Sequence, residues 1–404
     1  MVKYYEEKDM VVLSQIEEVA KVLKQYKIDS PSIYMGNAGI SLFYYYYYKL
    51  TNEVEYYNLA IDSLSKALNT LIIVHSKNYS FGYGTSGILW VLYFFEKEGF
   101  FEKDEIIHFE LFDKHLGNAM DKEIKESNFF FMKGATGIGS YFYRRLLNDI
   151  NINKEYLNNF IANLEIIMDS DKTPLGNLHS TRLNNLKQSK ESLEFGLSNG
   201  VPGIIMLLSK LYYLDISKEK IKTILNRIVK FILSQQLDFT HSNSYFPVRF
   251  FDGEDVESTI RWWCGDLSIG IALYNYAIAF NDKEIKNLSI EIFSNSAKRK
   301  QLKAEGIFDA GIFRGTCGVV ALYNRMHINT GIDLFKESAD YWMNETIKMS
   351  KFEDGFAGYK AWRSKSHGYV NSIGLLDGVA GIGLTMISHL DKSLIDWDES
   401  ILLS

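Results

Sequence analysis

Ser258-Thr-Ile-Arg-Trp-Trp-Cys-Gly-Asp-Leu-Ser-Ile-Gly-Ile-Ala-Leu-Tyr274 contains a Gly-Asp-Leu-Ser-Ile core whose pattern recurs along the chain: a glycine, two variable residues, a small residue and an aliphatic one. The other copies are Gly36-Asn-Ala-Gly39-Ile40, Gly84-Thr-Ser-Gly87-Ile88, Gly134-Ala-Thr-Gly137-Ile138, Gly200-Val-Pro-Gly203-Ile204, Gly315-Thr-Cys-Gly318-Val319 and Gly378-Val-Ala-Gly381-Ile382. Copies about fifty to sixty-five residues apart have the period of a helical hairpin with its loops.

Apolar residues follow each motif at helical spacing, for example Ile40, Phe43, Tyr44 and Tyr47, or Ile204, Leu207, Leu208 and Leu211. Each motif is therefore expected to start a helix, where glycine tolerates unusual backbone angles and lets neighbouring helix ends crowd together. Between the motifs lie helices of mixed character, such as 11–26, 54–74, 218–235, 283–297 and 335–349. Alternating apolar and amphipathic helices give an inner and an outer layer. Seven such hairpins closed on themselves make a double-layered α/α toroid, a single all-α domain over residues 1–404. An open solenoid is the alternative, but both ends carry full motif hairpins and no polar capping repeat, which favours closure. Two long stretches, 169–195 and 237–259, break the rhythm and are expected to rim one end of the toroid. The tyrosine run Tyr44 to Tyr48 reads as helix core rather than a binding box.

Composition agrees with this. Of 404 residues 47% are apolar and only four are proline, so a large helical core is affordable. A net charge of −6 without a basic stripe argues against nucleic acid as partner. Two cysteines make no disulfide framework, the N-terminus has no apolar signal region, and the most apolar run, Ile88 to Phe95, is too short to span a bilayer. These features point to a cytoplasmic protein.

The motifs, with the closing segment Asp396-Trp-Asp-Glu-Ser-Ile-Leu-Leu-Ser404, resemble those of the LanC family, the lanthionine synthetase C-like cyclases of lanthipeptide biosynthesis. The resemblance implies the α/α toroid and a zinc-activated addition of a peptide cysteine thiolate to dehydroalanine or dehydrobutyrine. Zinc lowers the thiol pKa, and such a site needs three protein ligands and an open position. The family places these ligands in Trp-Cys-Tyr-Gly and Cys-His-Gly segments. Here the corresponding residues are Trp262-Trp263-Cys264-Gly265 and Phe313-Arg314-Gly315, so Trp263, Phe313 and Arg314 stand at the ligand positions. Three further polar positions of the family read Asn199, Phe130 and Thr259. Neither Phe, Trp nor Arg binds zinc.

The expectation is therefore a protein that keeps a peptide-sized bowl lined by Phe130, Asn199, Thr259, Trp263, Cys264, Asp266, Phe313 and Arg314, and that has no zinc and no catalytic residue. It would bind a precursor peptide, a lanthipeptide dehydratase or an active cyclase. Arg314 would keep positive charge at the bowl floor, bridging Asp266 or meeting a ligand carboxylate. The alternative is an active cyclase with a rebuilt or metal-free site, drawing on Cys264, Cys317 or the loop histidines His179 and His241. Cys264 and Cys317 more simply read as buried structural residues. His327 and His389 fall near helix ends, where the dipole favours a cation. A glycosidase would need two carboxylates flanking a cleft, and the motif loops offer only Asp266 and Asp377.

Overall fold

The computed structural model describes residues 7–74, 77–101, 109, 111–148, 154–170, 175, 193–238, 242–250 and 257–404. Its helices, in chain order, are α1 (Glu7–Gln25), α2 (Asn37–Thr51), α3 (Val54–Val74), α4 (Thr85–Lys97), α5 (Phe112–Lys125), α6 (Ala135–Asn148) and α7 (Glu155–Asp169). They continue with α8 (Val201–Tyr213), α9 (Lys218–Ser234), α10 (Asp266–Phe280), α11 (Lys283–Ser296), α12 (Thr316–Thr330), α13 (Asp333–Lys348) and α14 (Val379–Leu390). Packing gathers them into two compact units, Met1–His75 with Lys300–Ser404, and Ser76–Arg299.

The helices are of two kinds. α2, α4, α6, α8, α10, α12 and α14 each begin just after the first glycine of a motif. These are buried on every side: in α2 every residue from Asn37 to Tyr47 is buried, including Tyr44 to Tyr47. The helices between them are amphipathic. In α9 the buried Ile221, Ile224, Leu225, Ile228 and Ile232 repeat every three to four residues. Each buried aliphatic side chain of this kind stabilises the fold by roughly 2 kcal/mol relative to exposure.

A shared turn starts the inner helices. Their first N–H groups would lack partners, and no capping side chain serves α2, α4, α10 or α12. Instead, the N–H after the motif glycine donates to the carbonyl six residues before that glycine: Asn37 to Ser30 at 2.8 Å, Thr85 to Asn78 at 2.9 Å, Ala135 to Asn128 at 2.9 Å and Asp266 to Thr259 at 2.9 Å. A Cβ on the glycine would run into that same oxygen, 1.9 Å away at Gly36 and 1.8 Å at Gly265. Gly265 also has φ of 138°, a backbone region that side chains disfavour. The fourth motif residue is crowded by the carbonyl three residues before the first glycine, at 1.7 Å from a Cβ on Gly381 and 2.0 Å on Gly137. Where Ser268 replaces glycine, its hydroxyl donates to that carbonyl, on Trp262, at 2.7 Å.

The segments ahead of consecutive motifs are stitched together. In the middle unit, Gly82 N donates to Met132 O, Phe131 N to Ser198 O (both 2.9 Å), and Ser198 Oγ to Trp263 O at 3.3 Å. In the unit formed by the chain ends, Ile312 N donates to Leu376 O at 2.9 Å, and Leu376 N to Tyr34 O at 3.3 Å. The last of these joins the seventh motif to the first, and α14 packs against both α1 and α2. An open solenoid has no such contact between its ends. The tail adds to this closure, since Tyr34 donates its hydroxyl to Ser400 O at 2.9 Å.

Two small antiparallel strand pairs accompany the helices, which the helical periodicity did not announce: β1 (Leu193–Glu194) with β2 (Arg249–Phe250), and β3 (Ala361–Ser364) with β4 (Gly368–Val370). The first pair joins the described ends of the two long stretches. No described helix is long and apolar enough to cross a membrane.

Candidate functional site

The residue just before each motif glycine occupies one register of the shared turn. In the middle unit these are Tyr83, Lys133, Asn199 and Cys264; in the other they are Met35, Arg314 and Asp377. All keep some exposure except Cys264, which is 1% exposed. The tight turn keeps this position out of the helix core.

In the middle unit, Phe130, Asn199, Thr259 and Trp263 are half-buried. The Arg261 guanidinium lies 5.4 Å from the centre of the Trp263 ring, and its Nε donates to Thr259 Oγ1 at 3.0 Å. Lys133 similarly lies over Tyr83 at 5.5 Å. These side chains of the middle unit thus make an aromatic and cationic surface. Arg261, Tyr83 and Lys133 were not singled out from the sequence, although the register of the repeat marks Tyr83 and Lys133.

Cys264 and Asp266 depart from the expected lining. Cys264 packs where a Cβ on Gly196 would come within 3.1 Å of it. Asp266 is fully buried and accepts from Tyr245 N at 3.0 Å, Phe246 N at 3.2 Å, Ser258 Oγ at 2.7 Å and Arg299 Nη1 at 2.9 Å. Arg299 therefore takes the role expected of Arg314. Burial still pushes the Asp266 carboxyl up to about 6, against the pull of Arg299 and the three other donors.

In the unit of the chain ends, Phe313 and Arg314 are half-buried, with the guanidinium carbon 5.1 Å from the Phe313 ring centre. Nearby in the sequence, Asp309 starts the turn and accepts from Trp362 N at 2.7 Å and Gly311 N at 3.0 Å. Asp377 holds Arg363 at 2.5 Å. The two carboxylates weighed for a glycosidase, Asp266 and Asp377, are thus each held by an arginine inside their own unit. Cys317 is buried, and the apolar surroundings push its thiol up to about 12 despite hydrogen bonds with Thr346 and Thr385. It stays protonated at neutral pH, the wrong state for a nucleophile or a metal ligand.

The side chains at the positions that the resemblance gives to zinc do not fit the metal. An indole N–H and a guanidinium only donate, and a phenyl ring offers no lone pair. Among the described residues no group of three or more His, Cys, Asp and Glu could hold a metal ion. His179 and His241, the loop histidines considered as helpers, lie outside the described residues. His389 differs from the expected helix-end cation: burial lowers its pKa, although Asp340 sits 3.3 Å away. His327 sits beside the carbonyl of Ile332, with Nδ1 at 3.1 Å.

Comparison with known proteins agrees with the architecture. The family model described as lanthionine synthetase C-like protein matches residues 27–402. Nisin cyclase superposes with a TM-score of 0.75 over 99% of this chain and 98% of its own, at 15% sequence identity. That likeness shows the fold, the all-α double-layered toroid. An α-1,6-mannanase of Salegentibacter sp., an inactive variant in complex with α-1,6-mannotriose, and a polysaccharide lyase reach TM-scores of only 0.45, at 11% and 12% identity, and carry no argument. They cover 95% and 97% of this chain, and this chain covers 99% of each of them. Among curated proteins none matches the sequence. With the family model spanning nearly the whole chain, this protein belongs to the lanthionine synthetase C-like family.

Proposed function

We propose that this protein is a binding member of its family, one that takes hold of a precursor peptide without zinc and without forming the thioether itself. One observation carries the reading: the three positions that the resemblance assigns to zinc hold Trp263, Phe313 and Arg314. Around them, guanidinium groups lie against aromatic rings in both units, Arg261 on Trp263 and Arg314 on Phe313. Such surfaces suit aromatic, aliphatic and carboxylate side chains of a peptide. A dehydratase or an active cyclase would be the partner that does the chemistry, in the cytoplasm.

The test pairs binding with catalysis. A dehydrated precursor peptide should bind, and Arg314→Ala or Trp263→Ala should weaken that binding about tenfold, a loss typical of one buried anchor. Thioether formation should not exceed the rate without protein. Product above that rate would replace this reading with that of a cyclase whose site is rebuilt or metal-free. Unchanged binding in both variants would remove these residues from the site.

A further inference from the structure

In the unit of the chain ends, a cavity of about 310 Å³ opens beside the β3–β4 hairpin, and neither Phe313 nor Arg314 lines it. Its lining combines aromatic rings and lysines: Phe308, Phe352 and Tyr369 with Lys303, Lys351 and Lys360. Phe308 and Tyr369 are 42% and 36% exposed, large apolar surface left open to solvent. Lys360 is held to Asp354 at 2.5 Å. Lys303 and Lys351 have no carboxylate partner among the described residues, and the Lys351 ammonium lies 5.9 Å from the Phe352 ring centre. The one carboxylate in the lining, Asp309, already accepts the Trp362 and Gly311 N–H groups. The cavity therefore presents an excess of positive charge beside aromatic faces.

The walls are preformed. Trp362 N is bound to Asp309 and Arg363 to Asp377, which pins β3 to the turns before α12 and α14. Tyr369 donates its hydroxyl to Phe308 O at 2.9 Å, holding the two rings at the rim. Phe352 N donates to Gly358 O at 3.0 Å, closing the loop that carries Lys351 and Lys360. A rigid cavity loses little entropy on binding.

We propose that this cavity is a second peptide site, which takes an acidic side chain next to an aromatic one on an extended segment. Lys303 and Lys351 receive the carboxylate, and Phe308, Phe352 and Tyr369 receive the ring. The volume is at the small end for ligand pockets and fits one or two side chains rather than a folded partner. The site rests on the reading that this protein binds peptides, but on different residues from those at the positions that the resemblance gives to zinc.

The probe is a fluorescein-labelled octapeptide of alternating glutamate and phenylalanine, titrated against the full chain by fluorescence anisotropy. Replacing its glutamates by glutamine should weaken binding at least tenfold, and replacing its phenylalanines by serine should do the same. The double variant Lys303→Glu/Lys351→Glu, at exposed positions that leave the core intact, should also lose at least tenfold, with an unchanged circular dichroism spectrum. Phe308→Ser should lose several-fold. Equal binding of the glutamine peptide, or of the acidic peptide to the double variant, overturns the proposal. In an Arg314→Ala background the Lys303→Glu/Lys351→Glu change should lower octapeptide affinity by the same factor as in the parent chain, so this site and the residues of the proposed function fail or stand separately.

Discussion

Asp398 accepts two hydrogen bonds from the Arg325 guanidinium, from Nε at 2.8 Å and from Nη2 at 2.7 Å, and is fully buried. The closing Trp-Asp segment is thereby clamped to α12, with Trp397 buried beside it. Removing one partner of such a pair leaves an uncompensated buried charge. Asp398→Ala should cost about 3–5 kcal/mol of stability, read as a lower midpoint of urea unfolding. A loss within 0.5 kcal/mol, on the order of a surface change, would show that the tail contributes nothing to closure.

The motif glycines differ in what they tolerate. Gly137→Ala places a Cβ 2.0 Å from Phe131 O and 2.6 Å from Phe81 Cβ, where neither backbone nor ring can yield without shifting the junction of two repeats. A loss of about 3 kcal/mol or more is expected. Ser268→Gly removes a hydroxyl shared between Trp262 O and Arg261 O and puts in the residue found in the other motifs, costing roughly 1 kcal/mol. Thermal melts of the two variants, side by side, decide whether close approach is what the motif serves.

Stability should depend on pH through Asp309, whose carboxyl burial pushes up to about 6 from 3.8. Between these values the folded chain holds the proton more tightly than the unfolded one. The contribution of Asp309 is therefore largest below pH 4 and is lost as pH rises through 6, by roughly 3 kcal/mol. Asp266 has the same sign. In Asp309→Asn the decline of unfolding free energy between pH 4 and 6.5 should be shallower than in the parent, as urea titrations at several pH values would show. Identical slopes would place the titration elsewhere.

Both cysteines should resist alkylation in the folded protein. Cys264 and Cys317 are buried, and the Cys317 thiol is raised to about 12, so almost no thiolate is present at pH 8. Labelling with iodoacetamide should proceed no faster than unfolding. Rapid modification of Cys317 in the native state would revive a reactive thiol in the site.

Much of the fold was legible because it is a repeat. Seven glycine motifs announce seven buried helices, and the apolar spacing after them sets the helix faces. The amphipathic helices at 54–74, 218–235 and 283–297 also fall within a residue of α3, α9 and α11. What escaped was set by hydrogen bonds with no sequence period. Asp266 looked available for Arg314, yet its partner Arg299 lies past the end of α11. The β3–β4 hairpin depends on Asp309 and Asp377, whose roles show only once the turns are folded. The polar residue six positions before the motif glycines, such as Ser30, Asn78, Asn128, Thr259 and Asp309, was a readable signal that the helix pattern overshadowed.

On the proposed reading, Trp263, Phe313 and Arg314 leave no place for the family's metal. Zinc content of the purified protein, measured by mass spectrometry after dialysis without chelator, tests it most directly. Far less than one zinc per folded chain is expected. One tightly held zinc per chain would contradict it and return the protein to the cyclases.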